Sequence, residues 1–250
     1  MDIALLAAIT ATFTLTGFVK GVIGLGLPTI AMGLLGSVMP PAEAAALLVI
    51  PSIVTNLWQM AGGPGLGPLL RRLWPMLAGV CLGSWAGAGL LTGANTGAAM
   101  AWLGAALVAY AIIGLLPWKL PRVPPGHEIW AAPLTGAATG LVTGATGVFV
   151  IPAVPYLGAL GLARDELVQA LGLSFTVSTL ALAVALGGAG VFNADLAWGS
   201  VIALAPALIG MGIGNALRRR VSPETFRRWF FLGLLALGAQ LLARGLGPLG

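Results

Sequence analysis

The chain has 250 residues, 58% of them hydrophobic and 8% charged, with a formal net charge of +5 and a mean hydropathy of +1.00. A soluble domain carries about 25% charged residues, so there is too little polar surface here to cover a globule in water, and the composition reads as a polytopic membrane protein. Arg and Lys fall between apolar stretches, as the positive-inside rule requires, which gives no reason to invoke nucleic acid; the single cysteine, Cys81, excludes an internal disulfide and cannot alone form a zinc site.

Residues 2–19 are apolar without a basic leading region, and the pattern continues past them, so no cleaved signal peptide is expected. The first half divides into apolar segments at 2–19, 21–37, 42–61, 73–92 and 97–116. Between the first two lies Gly17-Phe-Val-Lys-Gly21-Val-Ile-Gly24-Leu-Gly26-Leu-Pro28. Glycine permits positive φ and close backbone approach, and proline suits the first turn of a helix. Together they predict a helix break followed by a half-helix whose free N-terminal amides favour anions. Lys20 lies at this break and is the one ionisable residue well inside an apolar stretch, where a cation is by default a functional hypothesis. The third segment begins at Glu43, whose carboxylate suits a first helical turn, and presents Ser52, Thr55, Asn56 and Gln59 on one face by their three- and four-residue spacing. Cys81 sits in a run of small residues of the kind that packs membrane helices closely.

A polar, Pro-rich stretch from Pro117 to Glu128 separates the halves. The organisation expected is repeat 1 over 1–118, a linker over 119–128 and repeat 2 over 129–250, forming one membrane domain. The second half reads as segments 129–142, 144–161, 167–188, 197–216 and 229–246. Seven residues of the first half recur 123 positions later: Gly17, Val19, Gly21, Gly24, Leu34, Glu43 and Leu48 become Gly140, Val142, Gly144, Gly147, Leu157, Glu166 and Leu171. Lys20 becomes Thr143, Thr55 becomes Ser178 and Asn56 becomes Thr179. Paired breaks in two related halves point to a transporter's substrate site. The candidate binding residues are therefore Lys20, Gly21, Gly24, Gly26, Ser52, Thr55, Asn56 and Gln59, with Thr143, Gly144, Thr146, Gly147, Ser174, Ser178 and Thr179 in the second half.

Charge then tests the number of crossings. Arg71 and Arg72, Lys119 and Arg122, Arg164, and the arginines from Arg218 to Arg228 share one face only if each half crosses an odd number of times. That parity makes the repeats inverted, and the fold class expected is all-α with two inverted repeats whose broken half-helices meet near the bilayer midplane. Five crossings per half fit, as do three with the first two segments forming a re-entrant hairpin. The 14-residue segment 129–142 favours the hairpin, since a span needs about 20 residues. Either way the amino terminus, with Asp2, lies outside. Trp58, Trp74, Trp102, Trp118, Trp130, Trp198 and Trp229 mostly sit near segment ends, as interfacial anchors do.

The duplicated breaks (Gly21-Val-Ile-Gly24-Leu-Gly26 and Gly144-Ala-Thr-Gly147), the prolines behind them and the Glu43 and Glu166 helix starts resemble the sulfite exporter TauE/SafE family over nearly the whole chain. The resemblance implies movement of small anions, chiefly sulfur oxyanions or organosulfonates such as sulfite and sulfoacetate, across a bacterial inner membrane. That family is usually drawn with about eight spans. No carboxylate lies deep within a span to relay protons. The drug/metabolite exporters share the five-plus-five arithmetic but commonly carry neutral or cationic substrates. An enzyme lacks support, because the only histidine, His127, lies in the linker. No catalytic residue, metal or cofactor is expected; the partners are a small anion and membrane lipid, with a homo-oligomer left open.

Overall fold

A computed structural model describes residues 3–116, 121–218, 220 and 222–247. Asp2, Trp118, Lys119 and Arg219 lie outside the described residues. All regular structure among the described residues is helical: α1 (Ile3–Ile23), α2 (Leu27–Leu35), α3 (Pro41–Ala61), α4 (Leu66–Thr92), α5 (Thr96–Leu115), α6 (Pro125–Thr146), α7 (Ala153–Ala159), α8 (Arg164–Gly188), α9 (Ala194–Leu217) and α10 (Pro223–Leu246). Seven of them, all but α2, α6 and α7, are long and apolar enough to cross a membrane. The protein is an all-α polytopic membrane protein.

Two expectations need correction. Segments 21–37 and 144–161 are not spans of full length: α2 has 9 residues and α7 has 7. At about 1.5 Å per residue these half-helices cover roughly 13 and 10 Å of a ~30 Å hydrocarbon layer. Segment 129–142, by contrast, is longer than it read. Helix α6 has 22 residues because Pro125 starts it inside the polar linker, at a position where proline's missing N–H costs no bond. The short-segment argument for a re-entrant hairpin is thereby removed.

The breaks also lie later than expected. Helix α1 runs unbroken through Gly17 and Gly21, and α6 through Gly140 and Gly144. These four glycines serve packing instead. A Cβ on Gly17 would stand 2.1 Å from the Ala207 carbonyl oxygen, and one on Gly21 2.4 Å from that of Met211. On the other pair, Gly140 would clash with the Val80 carbonyl at 2.2 Å and Gly144 with that of Ser84 at 2.3 Å. Contact this close between backbones is the small-xxx-small mode of membrane helices. Residue numbers rise together along both pairs, so α1 runs parallel to α9, and α4 runs parallel to α6.

The chain bends one turn further on. Gly24 and Gly26 take φ of +77° and +106°, and Gly147 takes +71°, in the region that favours glycine. These residues end α1 and α6 and turn the chain into the half-helices.

The remaining pairs run antiparallel. Gly104 of α5 abuts Gly238 and Leu242 of α10, while Gly245 abuts Gly97 and Ala101. Helix α3 pairs with α8 through Asn56 to Thr179 and Met60 to Gln169. Adding 123 carries α1 onto α6, and the contact residues Val80 and Ser84 of α4 take the places of Ala207 and Met211 of α9, so the α1–α9 and α4–α6 pairs correspond. The α3–α8 and α5–α10 pairs each map onto themselves. Proline chemistry fixes one further contact. Pro51 lacks an N–H, which leaves the Leu47 carbonyl without its helical donor, and the Ser200 hydroxyl of α9 supplies it at 2.8 Å.

Overpacking costs about 1–3 kcal/mol and sometimes more. Gly140→Leu is expected to lower thermal stability in detergent sharply and reduce folded yield. Gly89→Ala, in α4 with nothing within 4 Å of its added Cβ, should leave the melting temperature unchanged or slightly raised; equal loss in both variants would contradict the packing role of Gly140.

Candidate functional site

The site begins with Lys20, which α1 holds three residues from its end and which is buried. Its Nζ donates to Thr55 Oγ1 at 3.0 Å and to Asn56 Oδ1, both on α3. Asn56 turns its Nδ2 to Thr179 Oγ1 of α8 at 3.3 Å, and the Thr179 hydroxyl donates to the Phe175 carbonyl at 2.7 Å. Asn56 and Thr179 are positional equivalents in the two halves, so the chain from Lys20 crosses from one half to the other at corresponding residues.

Lys20 faces a cavity of about 490 Å³ between the ends of α1, α3 and α9, the start of α8, and α7. Gly21, Ile23, Gly24, Leu25, Thr55, Trp58, Gln59 and Gly62 line it, with Val154, Gly158, Leu167, Val168, Leu171, Met211 and Asn215 opposite. Arg164 and Arg218 complete the lining, and no Asp or Glu is among the described lining residues. A buried cation is costly unless paired, and Lys20 is hydrogen-bonded only to neutral acceptors. Gln59 donates to the Val168 carbonyl at 3.3 Å while its Oε1 has no partner.

The cavity lies toward the basic end of the molecule. There Arg72 makes a two-pronged bond to Glu128, Nε to Oε2 at 2.8 Å and a second nitrogen to Oε1 at 2.5 Å, and also donates to the Leu160 carbonyl at 3.2 Å. Arg227 and Arg228 cluster with Leu115 and Leu116 at the end of α5. Glu166 caps α8 by accepting from the Ala163 N–H at 3.0 Å, a structural part that suits a carboxylate in a first turn.

Of the residues singled out by sequence, Lys20, Gly21, Gly24, Thr55 and Gln59 line the cavity, and Asn56 contacts Lys20. Gly26, Ser52, Thr143, Gly144, Thr146, Gly147, Ser174, Ser178 and Thr179 are buried away from it. Thr143 and Thr146 bond the Thr139 and Val142 carbonyls of their own helix. Ser52, Ser174 and Ser178 hydroxyls have no partner. The half-helix α2 does not offer its N-terminus to the cavity, because Phe230 and Val19 close over Gly26.

Residues 9–241 match the model of the family described as Sulfite exporter TauE/SafE. The chain belongs to the TauE/SafE family. No curated protein and no solved structure matches it. Eight of the described helices have 20 residues or more, and all of these but α6 are long and apolar enough to cross a membrane.

Sequence reasoning missed three residues that line this cavity. Arg164 and Arg218 read only as topology markers, and Asn215 carried no signal, since nothing local says that α9 lies parallel to α1. It also missed Gln169, which is buried and ties the start of α8 to α3 by donating to the Met60 carbonyl at 2.9 Å and accepting from the Gly65 N–H at 3.1 Å. Replacing it removes two hydrogen bonds, each contributing about 0.5–1.5 kcal/mol. Gln169→Leu should therefore lower the melting temperature in detergent by several degrees; no shift would mean that the bridge is dispensable.

Proposed function

We propose that this chain is a transporter of small anions, most readily sulfur oxyanions or organosulfonates such as sulfite or sulfoacetate. The observation that carries the reading is the buried Lys20, held by neutral side chains at a cavity whose other charged lining residues are Arg164 and Arg218. The family supports transport, and the uncompensated cations support an anion as cargo.

The two halves act as inverted repeats over 1–118 and 129–250, joined through 119–128. Their axis passes between Asn56 and Thr179, and the glycine contacts of α1 on α9, which recur between α6 and α4, support this relation. The basic end, with Arg71, Arg72, Arg122, Arg164 and Arg218, faces the cytoplasm of a bacterium by the positive-inside rule, placing the amino terminus outside. The cavity then opens inward. A drug/metabolite-type exporter of cations would meet three basic side chains here and no acidic one, which weighs against that alternative.

A ligand that binds only the folded state raises apparent stability. Sulfite, thiosulfate, sulfoacetate or methanesulfonate should raise the melting temperature of the detergent-purified protein above that in matched chloride. A hydrogen bond to a charged group contributes about 1.5–3 kcal/mol, so Lys20→Ala should weaken anion binding tenfold or more while leaving folded protein; unchanged affinity would remove Lys20 from the site. Asn56→Asp supplies a carboxylate beside Lys20 that competes with the cargo. It should cut anion binding at least tenfold with the fold retained, and tighter binding would refute the anion assignment.

A further inference from the structure

The cavity beside Lys20 has only a partial counterpart in the other half. This is a groove of about 620 Å³ between α4 and α8 whose lining includes Ala181 and Ala185, the equivalents of Trp58 and Gly62, but no residue of α2. Subtracting or adding 123 maps Val154, Gly158, Leu167 and Leu171 onto Ala31, Leu35, Ala44 and Leu48, and Thr55 and Gln59 onto Ser178 and Leu182. All six mapped residues are 0% exposed. Half-helix α2 thus closes down where its counterpart α7 stands back from the cavity. Helix α6 packs on α8, while Lys20 reaches from α1 to α3 beside open space.

We infer that these six residues line a second vestibule for the same anion, opening on the face opposite Arg164 and Arg218 and collapsed in this structure. The inference rests on the transporter reading above. Two related sequences can each adopt the conformation of the other, and exchanging the two states moves the opening from one face to the other about a fixed centre. A second observation points to the same place. Ser178 Oγ, the counterpart of the Thr55 hydroxyl that Lys20 engages, is buried with no partner, and so is Ser174 Oγ one turn before it. Thr143, which stands where Lys20 does, makes no bond to Ser178; its hydroxyl donates to the Thr139 carbonyl of its own helix. Buried hydroxyls without partners are costly, and opening this vestibule would hydrate them or expose them to the anion. The new vestibule differs chemically from the first: Arg164 and Lys20 correspond to Pro41 and Thr143.

The test is thiol accessibility in a Cys81→Ala background. Ala31→Cys and Ala44→Cys change side-chain volume little, and Leu182→Cys on α8 provides a third position if either fails to fold. Each purified variant is reconstituted in liposomes and treated with a membrane-impermeant maleimide from one face at a time. Leu167→Cys reports the arginine face and Ser37→Cys the opposite face. Expected is modification of Ala31→Cys and Ala44→Cys from the Ser37 face, at least tenfold slower than Ser37→Cys and at least tenfold faster than from the arginine face. Full protection while sulfoacetate transport persists would overturn the second vestibule, as would equal modification from both faces. Lys20→Ala is carried in parallel: lost transport with labelling retained keeps both readings, whereas unchanged transport removes the Lys20 site and leaves the vestibule to the labelling result.

Discussion

Backbone contact between α1 and α9, and between α4 and α6, is the constraint on which the remaining structure depends. In lipid there is no hydrophobic gain from burying leucine against leucine, so helices hold together where small residues let them approach closely. Gly17 and Gly21 lie against α9, and Gly140 and Gly144 against α4. Because these contacts are parallel, the ends of α1 and α9 come to the same depth. That common depth brings Lys20, Asn215 and Arg218, far apart in sequence, to one cavity. The glycine turns at Gly24 and Gly147 can then leave the helical pattern, since irregular backbone is tolerated at membrane depth only where protein encloses it or a cavity adjoins it.

Lys20 is the clearest example of a residue whose surroundings define its use. On a surface, a lysine bonded to a threonine and an asparagine would be unremarked. Here it is buried and has no carboxylate partner, so its hydrogen bonds orient the amine without neutralising it. Asn56 links that orientation to Thr179 in the other half. A polar chain crossing between equivalent positions gives the halves a shared centre, around which their other contacts are arranged in corresponding pairs.

Much of this was legible in the sequence. The ten segments are visible because apolar runs and polar interruptions are local features, and the 123-residue repeat is visible because both halves retain their glycines and prolines. Lys20 stands out because ionisable residues are so few. The position of the break was not legible, since a glycine that bends a helix and one that packs it have the same composition signal. Only the clearance around a Cβ separates Gly21 from Gly24, and that depends on a helix almost two hundred residues away. Arg164 and Arg218 were seen for their charge and assigned to topology, because their second part needs the neighbours that folding supplies. Asn56 and Thr179 were aligned as equivalents, yet that they touch follows only from the antiparallel crossing of α3 and α8.

The basic lining has a consequence for what the cavity holds at rest. A cleft of one charge sign, walled by apolar groups such as Ile23, Leu171 and Met211, concentrates counter-ions from the solution around it. On the anion reading proposed above, such a cavity draws whatever small anions the solution offers, so cargo meets it already occupied. Selection is then an act of displacement. On that reading the cargo's effective affinity is set by the other anions in the solution around the cavity as much as by Lys20.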